Sequence, residues 1–275
     1  ESPASAPLSP PEEQLKQKVL LLLDQAGIAG LAKLPRVCAN RIAMLAAVQR
    51  DPNAFILASK ELKNDKEIVL AAVGQNGMLL AVVSETLRND KEVVTAAVTQ
   101  NCCALRFASK ELCDDLEVVK LAVKRGGEAF KFVSNRLRND KQFILFCLEL
   151  GCLDYGYLFS ESLLLANDKD VVMALIARAK PHDMLWHLSR QLRDDEEVVL
   201  AAVEKDGYGY EFKHASDRIK ADRTIALIAI GYHFSAFEHV SDALKRDMDF
   251  LMEAINVNPD ILTDKSFIEA LSALR

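Results

Sequence analysis

The sequence predicts an all-α fold, an α-solenoid of about eight to nine two-helix repeats with a period of 25–28 residues. Three observations predict it. An aspartate opens a similar stretch at Asp65, Asp90, Asp115, Asp140, Asp168, Asp195, Asp222 and Asp247, at spacings of 25, 25, 25, 28, 27, 27 and 25 residues. The third, fourth, seventh and eighth residues after each opener are apolar or small, as in Ile68, Val69, Ala72 and Val73. That spacing marks one face of a helix and not the alternation of a strand. A serine stands six residues before every opener (Ser59, Ser84, Ser109, Ser134, Ser162, Ser189, Ser216 and Ser241), with an aliphatic residue three before. A fixed period in this range is the mark of a stacked array whose units contact mainly their neighbours.

Taken in order, residues 1–11 hold four of the eight prolines together with Ser2, Ser5 and Ser9, and read as a flexible tail or linker. Residues 12–36 are expected to form an N-terminal helix and cap, helical from Glu12 to Leu23 and less regular afterwards. The array follows over residues 37–263, with Asn40 as its first start. In each unit the opening carboxylate is placed to accept the free N–H groups of a first helix, helix A. Glu67, Glu92, Glu117 and Glu197 add negative charge at the positive end of that helix dipole.

Asn76-Gly77, Gly126-Gly127 and Asp206-Gly207 break the pattern and are expected to form a C-terminal cap of helix A or a tight turn. Pairs three residues apart (Phe55 and Ala58, Leu80 and Val83, Leu105 and Ala108, Phe130 and Val133) then predict a short helix B. The recurrent serine reads as a cap or back-bond in the turn to the next helix A, not as a nucleophile. Asp264 opens a last helix, within residues 264–275, that closes the stack. One such unit is too small to offset its own ordering entropy, so stacking must supply the missing burial.

Composition narrows the functions. Apolar content is 50% and net charge −6, so a generic basic face for nucleic acid is not expected. Val19 to Leu23 is too short for a membrane span and is followed by Asp24. Among the cysteines (Cys38, Cys102, Cys103, Cys113, Cys147 and Cys152), Cys147 takes the helix A place of Ala72, and Cys152 that of Gly77. No C-x-x-C pair occurs, which argues against structural zinc and for a reduced, disulfide-free protein. The expected location is cytoplasmic, or the host cytosol for a secreted effector. Glu1 in place of methionine is read as the start of a processed or excised piece.

The unit N-D-K-E-V-V-x-A-A-V, then N-G, then an apolar stretch ending A-S-x-x-L-R, resembles the tandem α-helical repeat family known as domain of unknown function 4116. The likeness is strongest over residues 64–88, 89–113 and 139–148, and weaker copies extend it across about 40–250. Members occur as tandem copies in bacterial and protist proteins, some of which resemble effectors delivered into host cells. The family has no assigned activity, so the resemblance implies a fold and not a reaction. Residues 146–166 depart most from the pattern.

Departures from the repeat carry the functional signal. All five tyrosines, the single tryptophan and all five histidines fall between residues 155 and 239. The longer units add residues near Tyr155, Pro181 and Tyr208, and insertions in solenoids often line a binding face. Candidate partner-binding residues are Tyr155, Tyr157, Trp186, His187, Tyr208, Tyr210, His214, Tyr232 and His233. Residues 1–140 carry a net charge of +2 and residues 141–275 a net of −8, which favours a protein partner with a basic contact surface.

Enzyme readings find no support. His182, His187, His233 and His239 lack H-E-x-x-H spacing. No phosphate-cradling glycine loop and no G-x-S-x-G elbow occurs. The acidic run Asp194 to Glu197 coincides with a helix start, where carboxylates are expected without a metal. No catalytic, cofactor or metal residues are therefore assigned. The expected function is a monomeric, non-enzymatic protein–protein interaction scaffold or regulator. The alternative is a targeting or recruitment module of a larger protein whose catalytic domain lies outside this stretch.

Overall fold

The computed structural model describes residues 9–153, 165–178 and 183–274. The chain divides into two compact bodies, residues 1–137 and 138–275. All regular elements among the described residues are helical, as the repeat pattern predicts.

Each unit begins as read from the sequence. Helix A runs over Lys66–Val73, Lys91–Gln100 and Leu116–Arg125 in the first body. In the second it runs over Lys141–Glu149, Lys169–Arg178, Glu196–Asp206, Arg223–Tyr232 and Met248–Val257. The opening aspartates cap these helices; Asp90 accepts the N–H groups of Glu92 and Val93 at 3.0 and 3.1 Å. Asn40 and Asp264 do the same at the two ends of the array. The predicted face is the buried one: Val93, Val94, Ala97 and Val98 are inaccessible, and Cys147 fills its core place in the same way.

The second element is the short helix expected, and the structure fixes its type. Helix B is not an α-helix in most units but a 3-10 helix, as in Pro52–Leu57, Gly77–Val82, Cys102–Phe107 and Gly127–Phe132. Its apolar pairs lie three residues apart because three residues make one 3-10 turn. A further short turn of helix follows before the opener, as in Glu85–Arg88. Consecutive helices A pack on one another, and consecutive 3-10 helices form a second layer within each body. Phe55, Leu80 and Leu105 fill the space between the layers and are fully buried.

The break residues act differently from one another. Asn76 and Asn101 are extended and cap the following 3-10 helix, accepting the N–H of Met78 and Cys103. Only Gly207 of the three predicted pairs ends helix A in the left-handed conformation, at φ 70°. Gly77 is required for another reason: a Cβ there would lie 2.3 Å from the carbonyl oxygen of Ala97 in the next helix A.

At the N-terminus the helix starts at Pro10, two residues earlier than expected, and runs to Leu31 with a non-helical Gly27 inside it. Proline is tolerated in a first helical turn because its missing N–H has no partner there anyway. Ser9 and Glu12 form a capping box across that turn.

Repeating polar bonds join the units. Among the described residues the serine of each turn caps the short helix, Ser109 Oγ accepting the N–H of Leu112 at 3.2 Å. The same hydroxyl donates to Asn89 Oδ1 at 2.6 Å, while the Ser109 N–H donates to the Arg88 carbonyl at 3.0 Å. Where a basic residue follows the opener it reaches the next opener: Lys66 to Asp90 at 2.8 Å and Lys91 to Asp115 at 3.0 Å. The second body repeats this with Lys141–Asp168, Lys169–Asp195 and Arg223–Asp247. Burial pushes the Asp90 carboxyl up, but Lys66 and the helix N–H groups outweigh it and hold the group below the usual carboxylate range.

Candidate functional site

Trp186, His187, Tyr208, Tyr210, His214, Tyr232 and His233 all lie on successive units of the second body. Tyr155 and Tyr157 lie outside the described residues. Four of the aromatics face solvent: Trp186 at 63%, Tyr208 at 58%, Tyr210 at 50% and Tyr232 at 40%.

The inserted residues of the Asp195 unit present Tyr208. Gly207 and Gly209 are both left-handed, at φ 70° and 72°, and turn the chain outward on either side of it. Glycine adopts this conformation without the Cβ penalty of other residues. The loop is pinned: Asp206 Oδ2 accepts the Tyr210 N–H at 2.8 Å, and the Tyr208 carbonyl accepts from Ser235 Oγ at 3.3 Å. Tyr208 stacks on Tyr210 with ring centres 6.1 Å apart and meets His233 at 6.3 Å. His233 in turn stacks on Phe234 at 4.5 Å.

Two of the candidates have a structural duty. His233 stands where Asn76 and Asn101 stand in earlier units and caps its 3-10 helix, its Nδ1 accepting the Ser235 N–H at 3.2 Å. Tyr232 faces Glu204, and its hydroxyl is pushed up first by partial burial and then by that carboxylate. His187 is exposed at the end of the short helix Met184–His187.

Trp186 belongs to a second grouping on that short helix. Asp183 precedes it in the left-handed conformation, at φ 54°, and makes no side-chain cap. Instead Glu211, from the next unit, accepts the N–H groups of Met184 and Leu185, both at 2.9 Å. Glu211 is 1% exposed, the one buried charged residue among the described residues. Asp183 turns to Lys213 at 2.6 Å and His214 at 2.9 Å. Lys213 first, then His214, holds the Asp183 carboxyl down to about 2. The His214 ring lies 5.5 Å from that of Trp186.

Beside Trp186 opens a hollow of about 810 Å³, lined among others by Arg190, Arg193, Lys213, His214, Arg218 and Lys220. Its positive lining is the reverse of what the acidic second half leads one to expect at this spot. The acidic run Asp194 to Glu197 is engaged with cations: Asp194 and Glu196 with Arg218, Asp195 and Glu197 with Lys169. Among the described residues no group of three or more His, Cys, Asp or Glu side chains could hold a metal ion. No helix among them is long and apolar enough to cross a membrane.

Sequence reasoning missed Glu211 and the cationic hollow. Glu211 had a signal, since it falls where Ala54, Leu79, Ala104, Ala129 and Ala236 stand in other units, and all five are buried. The hollow had a weaker one, the basic residue two places before most openers (Lys63, Arg88, Arg138, Arg193, Lys220 and Lys245).

No curated protein and no solved structure matches this chain. Six tandem matches to one family cover residues 40–88, 75–113, 115–164, 168–220, 195–245 and 222–267. With its capped helices A in register and its matches spanning most of the sequence, the chain belongs to the repeat family described as domain of unknown function (DUF4116).

Proposed function

We propose that this protein is a non-enzymatic interaction scaffold or regulator that holds another protein on the exposed aromatic surface of its second body. The observation that carries the reading is the placement of Tyr208. Two left-handed glycines and a two-residue insertion hold a large, amphipathic ring at 58% exposure, outside the core and against only Tyr210 and His233. Rigidly presented tyrosine and tryptophan are the side chains that most often anchor protein interfaces. Glu204 and Asp206 lie beside these tyrosines, so basic groups on the partner would complement this part of the surface.

The test is the pair of substitutions Tyr208→Ala and Tyr210→Ala, read by quantitative capture of partner from cytosol and by thermal melting. Loss of capture at an unchanged Tm is the expected result. A lowered Tm with capture retained would show that the rings only pack, and would end the proposal.

A further inference from the structure

The hollow beside Trp186 lies wholly within the second body and carries an excess of positive charge, five basic residues against the carboxylates of Asp194 and Asp217. Of the five basic residues lining it, Arg218 is bound by Asp194 and Glu196, and Lys213 by Asp183. Arg190, Arg193 and Lys220 have no carboxylate within ion-pair distance among the described residues. The Nε of Arg193 is buried without a hydrogen-bond partner, as is that of Arg88 at the same register place in the first body, so this orphan belongs to the repeat and the excess of cations is what sets the hollow apart. At the same register place in other units, Lys63 and Lys245 donate to the carbonyls of Ile56 and Glu238, at 3.0 and 2.7 Å. Lys220 makes no such bond.

The local field bears this out. Burial pushes Lys220 down, and neighbouring Arg193 adds to the effect against Asp217. Burial also lowers His239, with Lys220, Lys245 and Lys213 pushing the same way against Glu238. Crowded cations that lose hydration without gaining a partner are costly, and an incoming anion would relieve that cost. Two guanidinium groups suit carboxylates in particular, since their planar forks bind both oxygens at once. The volume is that of a ligand pocket, far larger than one small ion requires. Trp186, 63% exposed on its rim, adds an apolar surface for a neighbouring side chain.

We infer that this hollow is a docking groove for a carboxylate-rich segment of a partner protein, gripped by Arg190, Arg193 and Lys220 with Trp186 alongside. The inference rests on the second body's being a protein-binding surface, and names the partner chemistry at one end of it.

The lone tryptophan of the chain sits at the groove and serves as the probe. An unlabelled peptide of about ten glutamates, titrated at low salt, is expected to change Trp186 emission saturably, and less so as salt rises. Arg190→Glu, at an exposed position, and the double variant R193E/K220E are each expected to weaken binding roughly tenfold or more. Lys60→Glu, the matching reversal in the first body, is expected to leave it unchanged; circular dichroism and melting curves identify any variant that fails to fold. Absence of a saturable change, or equal weakening by K60E, overturns the inference. So does tight binding of single-stranded DNA of about ten nucleotides where the peptide does not bind. A partner whose capture needs Tyr208 and Tyr210 but survives R190E would remove the groove and leave the aromatic surface standing.

Discussion

The carboxylate of Glu211 and the backbone N–H of Met184 lie 2.9 Å apart, joining two residues that occupy the same place in consecutive units. In other units that place is filled by a small or apolar residue that only packs, such as Ala104 or Leu79. Here a buried carboxylate supplies the cap that Asp183, in its left-handed conformation, does not. The short helix bearing Trp186 is thus set by its neighbour.

Glu211→Ala leaves two buried N–H groups unsatisfied and opens a gap, at a cost of roughly 2–4 kcal/mol. Glu211→Gln keeps an acceptor for one of them and is expected to cost about half as much. Urea denaturation of the two variants measures the difference, and Trp186 emission should shift in both. Equal stability of wild type and E211A would mean that the carboxylate contributes nothing to the cap.

Gly77 and Gly207 should respond to alanine for different reasons and by different amounts. At Gly77 the new Cβ meets backbone, the Ala97 carbonyl, which cannot retreat without moving a helix. A loss of roughly 3 kcal/mol or more is expected there, in the range of severe overpacking. At Gly207 nothing lies within 4 Å, and only the positive φ is strained, for about 1 kcal/mol. Melting curves that ranked the two in the opposite order would refute the close-approach argument.

Ser109 and Asn89 are expected to behave as one unit. Each alanine substitution removes the hydroxyl–amide bond between repeats, and S109A also removes a cap worth about 1 kcal/mol. The double variant should lose less than the sum of the singles, because the shared bond can be lost only once. Strict additivity would show that the 2.6 Å contact carries no coupling.

Acid should unfold the protein through its opening aspartates. Asp65, Asp90, Asp115, Asp168, Asp195 and Asp247 all sit below the usual carboxylate range. A carboxyl depressed in the folded state stabilises it above the unfolded value of about 3.9, and the contribution fades as pH falls through the lower folded value. Chemical denaturation should therefore give a small loss between neutral pH and about pH 5, where the buried His239 is depressed below its unfolded value, then a steep loss below about pH 4 from the aspartates. The Asp90→Asn variant should show a shallower loss. A loss that is mostly complete above pH 5 would place the responsible groups elsewhere.

Helix A was readable residue by residue because its determinants are local: a capping side chain, and apolar residues at helical spacing that recur in register. Ile68, Val69, Ala72 and Val73 are buried as a set in the structure. The second element was half readable. Phe55 and Ala58 announced an apolar face, but a three-residue step fits either helix type. The serines announced a cap, yet the second bond of Ser84 and Ser109 crosses to an asparagine twenty residues back, a distance along the chain that local pattern does not report. Of the candidate aromatics, exposure separated Trp186, Tyr208 and Tyr210 from His233, whose ring serves as a cap.

From residue order alone came the period, the capped helix, its buried face and the family, since each depends on neighbours a few positions apart. The opposed charge at Trp186, the trans cap by Glu211 and the outward turn at Tyr208 came from folding. They arise where side chains about 27 residues apart are brought within hydrogen-bond reach, and stacking, not sequence proximity, sets those distances.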